Sequence, residues 1–145
     1  MIPQGLLARL GAAAAPPEHA RETTRDEAVA MAAVMRRERE LGHEPRDVSR
    51  ERRGYDIESG TRDGDLRFIE VKGRVEDADT VTVTRNEIVT ALNEPERFFL
   101  ALVSVRGEQA EETVYLRRPF QREPDFGAEA VTYRIAELLK RAERV

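Results

Sequence analysis

Apolar residues near the start of the chain recur about every 3.6 positions, the period of a helix that packs one face against a core. Thr24 followed by Glu27 has the spacing of a capping box, and Gly42 suits the C-terminal end of a helix. We therefore predict a first helix from Thr24 to about Leu41. Its apolar stripe consists of Ala28, Met31, Ala32, Val34, Met35 and Leu41.

The middle of the chain has the shorter apolar runs that are typical of β-strands. Two such runs flank an Asp-Gly turn signal within residues 61–65 and predict a hairpin. The nearly continuous apolar run FFLALVSV predicts a strand that is buried on both faces. Residues 43–53 are polar and predict an irregular connection. The predicted strands are Tyr55–Glu58, Leu66–Val71, Thr80–Val83, Phe98–Val105 and Val114–Leu116.

Two further helices complete the predicted order. Thr84 and Glu87 have capping-box spacing and begin a helix that ends near Leu92. A C-terminal helix has one apolar face, formed by Val131, Ile135, Leu138 and Leu139. This order predicts a mixed α/β domain with a central sheet flanked by helices. We expect residues 1–23 to form a flexible arm and residues 24–145 to form the domain.

Composition narrows the kinds of site that the chain can build. No cysteine and only two distant histidines are present, which excludes thiolate metal sites and disfavours a zinc site. No apolar run could span a membrane, and we expect a cytoplasmic protein without membrane contact. The sequence contains neither a Walker loop nor a GxGxxG motif, so nucleotide hydrolysis and dinucleotide binding are not indicated.

The net charge of −4 is unevenly distributed, because arginines concentrate between residues 36 and 53 and carboxylates follow between residues 56 and 79. An acidic centre beside a basic flank suits a metal ion next to a phosphate backbone. An ordinary solvated surface also accounts for this segregation.

Charged side chains interrupt the predicted core strands. Alternation along a strand places Glu70 and Lys72 on one face, and the hairpin brings Asp56 across from this segment. Two carboxylates at a sheet end suit Mg²⁺, which keeps several waters, and a neighbouring lysine can orient a water or offset phosphate charge. The simpler alternative is an ion pair between Glu70 and Lys72, with Asp56 as an acid near the turn.

Several short motifs occur together between residues 28 and 105. They are Glu38 four residues before Gly42, then Asp47-Val48-Ser49, Gly54-Tyr55-Asp56-Ile57, Ile69-Glu70-Val71-Lys72-Gly73 and Thr84-Arg85-Asn86-Glu87. This combination resembles the domain at the C-terminus of the plant protein NO VEIN, and similar domains end many bacterial helicase-like proteins. That family is similar to the PD-(D/E)XK restriction-endonuclease-like superfamily, whose fold is a mixed sheet between helices.

The resemblance implies a Mg²⁺- or Mn²⁺-dependent nuclease that hydrolyses DNA. Asp56 and Glu70 would be metal ligands, the carbonyl of Val71 a third ligand, and Lys72 the catalytic lysine. Glu38 would be the additional acid on the first helix, although its run RRERE also suits a solvated helix face. The implied partners are DNA and a helicase-type protein, and related nucleases often pair to cut both strands.

Candidate substrate contacts are Asn86 and an arginine set, namely Arg50, Arg52, Arg53, Arg74 and Arg85. Aromatic residues make up only 6% of the sequence. Because stacking on single strands needs aromatic side chains, this scarcity favours contacts to the backbone of a duplex. The main alternative function is a non-catalytic DNA-binding or docking module that serves a helicase-type partner. A structural interaction domain without nucleic acid is a third.

Overall fold

The first helix begins earlier than the sequence predicts. In the computed structural model, which describes residues 17–75 and 77–145, α1 spans Pro17–Glu40. Proline is tolerated in the first turn because its missing N–H would have no helical partner there. Thr24 and Glu27 therefore lie within the helix, so the predicted capping box at this position is wrong. The rest of the predicted arm, residues 1–16, lies outside the described residues.

The end of α1 and the presence of the following hairpin agree with the sequence, but its first strand begins at Ile57 and not at Tyr55, so Asp56 lies just outside it. Gly42 adopts a left-handed φ of 88° just after the helix, as expected for a C-terminal stop. Strands β2 (Ile57–Gly60) and β3 (Leu66–Val75) pair antiparallel around the predicted turn, in which Gly64 has a φ of 85°.

The central sheet is mixed, as predicted. Besides β2 and β3 it contains β1 (Glu44–Asp47), β5 (Phe98–Arg106), β6 (Gln109–Arg117) and β8 (Glu143–Arg144). Its six strands lie in the order β1-β2-β3-β5-β6-β8. Strands β3 and β5 are parallel, and the other neighbours are antiparallel.

The predicted third strand lies outside the central sheet. It is β4 (Thr80–Thr84), which pairs antiparallel with β7 (Ala130–Arg134) in a separate two-stranded sheet. Helix α2 (Arg85–Asn93) follows β4, and the predicted capping box between Thr84 and Glu87 is confirmed. Helix α3 (Ile135–Arg141) is shorter than predicted, because Val131 belongs to β7.

The central sheet separates two apolar clusters. Helix α1 covers one face, where Ala30 and Val34 pack on Ile69, Phe99 and other strand residues. The small sheet, α2 and α3 cover the other face. Their buried residues there are Val81, Val83, Ile88, Ala91, Ile135 and Leu138. Strand β5 is buried on both faces, as its apolar run predicts.

Besides β7, two strands of the central sheet were not predicted from the sequence, because they are polar and lie at the sheet edges. Strand β1 has the sequence EPRD and is largely exposed, and β8 has only two residues. Edge strands need little apolar surface, so hydrophobic periodicity does not reveal them. Within the described residues, no helix is both long and apolar enough to span a lipid bilayer.

Gly54 fixes the approach of the chain to α2, and its replacement tests this packing. Its φ is 88°, and an added Cβ would lie 2.2 Å from Thr90 Oγ1. Gly64 has a similar φ of 85° with open space around it. We expect Gly64→Ala to cost about 1–2 kcal/mol from backbone strain and Gly54→Ala to cost roughly 1–3 kcal/mol more from overpacking. Equal losses in urea unfolding would contradict this packing.

Candidate active site

Asp56 lies where β2 separates from β3. Its backbone N–H donates to the Ile69 carbonyl at 2.9 Å, and its Oδ2 accepts from the Val71 amide at 2.9 Å. The side chain thus continues the hydrogen bonding that β2 no longer supplies. The carbonyl of Val71 points to the same side of β3 as its amide, because both groups of one strand residue face the same neighbour.

Glu70 and Lys72 share a face of β3, as strand alternation predicts. The Lys72 ammonium lies 3.1 Å from Glu70 Oε2 and 3.2 Å from Glu87 Oε1. Glu70 is only 2% exposed. Together with Asp56 these side chains line a cleft of about 320 Å³ between α1, β3 and α2. The structure therefore brings together Asp56, Glu70, Val71 and Lys72.

The pKa values in this cleft reflect burial first. Burial, together with the charges of Asp56 and Glu87, raises the pKa of Glu70 well above its usual range, against the effect of Lys72. Burial likewise raises the pKa of Asp56, although the Val71 amide opposes it. Burial lowers the pKa of Lys72, but Glu70 and Glu87 outweigh this effect and raise it overall. Lys72 is therefore a cation at neutral pH.

One oxygen of Glu70 lacks a donor. Its Oε1 is buried and has no hydrogen-bond partner among residues 17–75 and 77–145. A buried carboxylate oxygen without a partner is costly, and a hard cation would satisfy it. The same described residues contain no group of three or more acidic, histidine or cysteine side chains arranged to hold a metal ion. Two carboxylates and a carbonyl still suit Mg²⁺, which retains several waters.

Two glutamates of the cleft were not assigned to it from the sequence. Glu87 caps α2 with Thr84 and also contacts Lys72, so the cap explained only part of its role. Glu27 lines the cleft from α1, and its apparent capping box concealed this position. The available signal was its spacing, because Glu27 lies three residues before Ala30, which faces the core.

Glu38 lies outside the cleft. Helix α1 runs past β3 so that Ala30 is near Gly73, whereas Glu38 reaches Arg67. The 11 residues from Glu27 to Glu38 correspond to roughly 16 Å along a helix. The structure therefore does not bring Glu38 together with Asp56, Glu70 and Lys72.

Glu38 is fully buried, and both of its carboxylate oxygens accept hydrogen bonds in a separate cluster. Arg67 donates from Nε to Oε1 at 2.9 Å and from Nη2 to Oε2 at 3.1 Å. Tyr115 donates to Oε2 at 2.8 Å, and His43 Nδ1 lies 2.9 Å from Oε1. Burial raises the pKa of Glu38, but these hydrogen bonds outweigh it and lower the pKa overall. The Arg67 guanidinium also stacks on Phe99 at 4.1 Å.

Four of the predicted substrate contacts, namely Asn86, Arg53, Arg74 and Arg85, do not line the cleft and instead make contacts within the fold. Asn86 donates weakly to the Arg52 carbonyl at 3.5 Å. Arg53 pairs with Glu51 and Glu58. Arg74 and Arg85 donate to backbone carbonyls, namely those of Ala78 for Arg74 and those of Asp125 and Ala128 for Arg85.

Replacing Glu38 tests whether its cluster stabilises the fold. Glu38→Ala leaves Arg67 without its buried partner, and we expect a loss of about 3–5 kcal/mol in the free energy of unfolding. Glu40→Ala is the control, because this exposed residue on the same helix makes a long 3.8 Å ion pair with Arg37, and we expect a loss of less than about 0.5 kcal/mol. A similar loss for both variants would contradict the assignment.

The pH dependence of this stabilisation has a definite sign. Because the folded-state pKa of Glu38 lies below its ordinary value of 4.5, the stabilisation is complete above that value and is lost as pH falls through the folded-state pKa. Urea unfolding of the wild type and Glu38→Gln between pH 3 and 7 should therefore show a difference that narrows in acid. A gap that widens in acid would contradict this sign.

Comparison with known proteins agrees with the motifs. The family described as "Protein NO VEIN, C-terminal" matches residues 26–116, which is more than half of the chain and includes the whole cleft. No curated protein matches this sequence. On the extent of the family match, the chain belongs to the NO VEIN C-terminal family.

Proposed function

We propose that the cleft is the active site of a metal-dependent nuclease that hydrolyses DNA phosphodiester bonds, built on a core of PD-(D/E)XK type. The observation that carries the proposal is the unpartnered, buried Oε1 of Glu70 in the same cleft as Asp56 and Lys72. An apolar residue would fill this position on the sheet at lower cost, so burying a carboxylate there favours a role in binding.

Asp56 and Glu70 would hold Mg²⁺ or Mn²⁺ through their carboxylates, with the Val71 carbonyl as a third donor. When bound, such an ion lowers the pKa of a water and offsets negative charge on a phosphate. The Val71 amide orients the Asp56 carboxylate, and the surrounding sheet orients Glu70. Glu70 therefore stands on the backbone of β3, and Asp56, just before β2, is held to β3 by its hydrogen bonds with Ile69 and Val71.

Lys72 acts in this proposal as a fixed cation. Its pKa is raised by Glu70 and Glu87, which makes it a poor proton acceptor near neutral pH. It would orient the attacking water and stabilise the charge that develops on the phosphate. Glu87 keeps the ammonium in place, because its carboxylate is itself fixed by the cap of α2.

In this proposal Glu27 has the role that the family resemblance implies for Glu38. It is the helix acid that lines the cleft, while Glu38 is bonded in a separate cluster. An exposed carboxylate at the cleft wall is free to bind a water of the hydrated ion. We therefore propose Glu27 as the auxiliary acid.

The second candidate is a non-catalytic DNA-binding or docking module. It is favoured by the contacts of Lys72, which pairs with both Glu70 and Glu87 and so satisfies its charge without any ligand. In that case the acids would serve the fold, and divalent ions would not affect its stability.

Plasmid cleavage tests the catalytic residues. We expect Mg²⁺- or Mn²⁺-dependent nicking of supercoiled plasmid by the wild type, reduced about 10²–10⁴-fold by Lys72→Ala or by Glu70→Ala. Asp63→Ala, an exposed acid in the β2–β3 turn, is the control and should cut normally. Nicking that survives both site variants would overturn the assignment.

Metal-dependent thermal unfolding separates the two functions. An ion that binds only the folded state at about 100 times its Kd stabilises by roughly 2.7 kcal/mol. We expect Mg²⁺ to raise the Tm of the wild type and of Asp63→Ala, but not of Asp56→Asn or Glu70→Gln. No response of the wild type would favour the docking module.

Glu27→Gln and Glu38→Gln separate the two helix acids. We expect Glu27→Gln to lower nicking at limiting Mg²⁺ while leaving stability within about 0.5 kcal/mol. Glu38→Gln should lower stability and leave the metal dependence of nicking unchanged at a temperature where it is folded. The reverse pattern would restore Glu38 as the auxiliary acid.

A further inference from the structure

One loop begins and ends at the cleft. Both Ser49 and Asp56 line the cleft, and the Val48 N–H donates to the Asp56 carbonyl at 2.8 Å, which closes the loop of residues 48–56 at its base. The residues between these ends are therefore at most three positions from a residue that lines the cleft. They include three arginines within four positions, Arg50, Arg52 and Arg53.

These arginines differ in what they contact. The Arg53 guanidinium pairs with Glu51 at 2.6 Å and with Glu58 at 2.9 Å. Arg50 and Arg52 are exposed, and neither makes a hydrogen bond or ion pair through its side chain within the described part of the chain. Arg50 has only a longer-range interaction with Asp47.

The loop that carries them is held in place by the fold. Asp47 Oδ1 accepts from the Ser49 backbone at 2.9 Å and from its hydroxyl at 2.7 Å. Arg52 has a left-handed φ of 54°, and Gly54 packs directly against Thr90 of α2. A loop fixed in this way loses little conformational entropy when its side chains bind a ligand.

The charges of the cleft and of the loop beside it are complementary to a phosphate backbone that lies next to a divalent cation. The floor and walls carry Asp56, Glu70, Glu87 and Glu27 against one ammonium, so this region repels polyanions until a divalent ion reduces its charge. Arg50 and Arg52, whose guanidinium groups make no hydrogen bond or ion pair within the described part of the chain, belong to the loop that adjoins this region. They can attract phosphates on either side of the one at the floor, because a nucleic acid presents its charges in series.

We propose that residues 48–56 form a phosphate-binding rim, in which Arg50 and Arg52 contact the DNA backbone flanking the bond at Asp56 and Glu70. This inference rests on the proposed function and narrows the predicted arginine set to Arg50 and Arg52, leaving Arg53, Arg74 and Arg85 to the fold. The contacts are to phosphates and position the duplex without selecting a base sequence.

Salt-dependent binding of a fluorescent 20-base-pair duplex tests this rim. The Lys72→Ala chain is used in Mg²⁺ so that the duplex stays intact, with and without Arg50→Ala/Arg52→Ala. Because each phosphate contact in B-DNA contributes about 0.9 to the slope of log K against log salt, we expect the slope to fall by about 1.8. Binding should weaken most at low salt, and the Mg²⁺-dependent Tm shift should be the same with and without the double substitution.

Arg36→Ala/Arg39→Ala is the matched control, since it removes the same charge from exposed positions of α1 outside the cleft. It should leave the slope close to that of its parent. An equal decrease in both double variants, an unchanged slope in Arg50→Ala/Arg52→Ala, or no salt-dependent binding by the parent would overturn the inference. If binding depends on Arg50 and Arg52 but the wild type never cuts DNA, the rim stands and the proposed hydrolysis fails.

Discussion

Strand β3 continues beyond its partner β2, and the cleft exists because of this difference in length. Strand β2 has 4 residues and β3 has 10, so one edge of β3 loses its strand neighbour after Ile69. Its backbone groups then need other partners. The Asp56 side chain supplies one for Val71, and α1 approaches so closely that a Cβ on Gly73 would lie 3.0 Å from that of Ala30.

The two buried glutamates show what separates a structural carboxylate from a candidate ligand. Glu38 receives hydrogen bonds from Arg67, His43 and Tyr115, and its pKa is lowered. Glu70 has one cation beside it and an oxygen without a donor, and its pKa is raised. The fold thus stabilises the charge of the first and leaves the second incompletely satisfied. Incomplete satisfaction of a buried charge is typical of sites that await a ligand.

The sequence predicted the parts of the fold that depend on local pattern. The hairpin, the cap of α2 and the doubly buried β5 follow from turn chemistry, side-chain spacing and a continuous apolar run. The edge strands β1 and β8 depend on pairing with distant residues and have no pattern of their own. The placement of β4 in a second sheet also depends on a long-range contact, because β4 pairs with β7.

In the candidate site, too, the sequence predicted the features that depend on local pattern and not those that depend on tertiary packing. Strand alternation predicted that Glu70 and Lys72 would lie together, and the hairpin predicted the approach of Asp56. Whether Glu27 or Glu38 lines the cleft depends on how α1 crosses β3, and only tertiary packing sets this crossing. The roles of the arginines likewise depended on which acids and carbonyls surround each one in the fold.

Pairing between β4 and β7 also sets the size of the unit that folds. Strand β7 and helix α3 lie beyond residue 116, where the family match ends, yet Ile135 and Leu138 are buried in the cluster that supports α2. Arg85, at the start of α2, donates to carbonyls of the connection before β7. The helix that holds Lys72 through Glu87 is therefore supported by chain outside the matched segment. A fragment cut at the family boundary would lose that support.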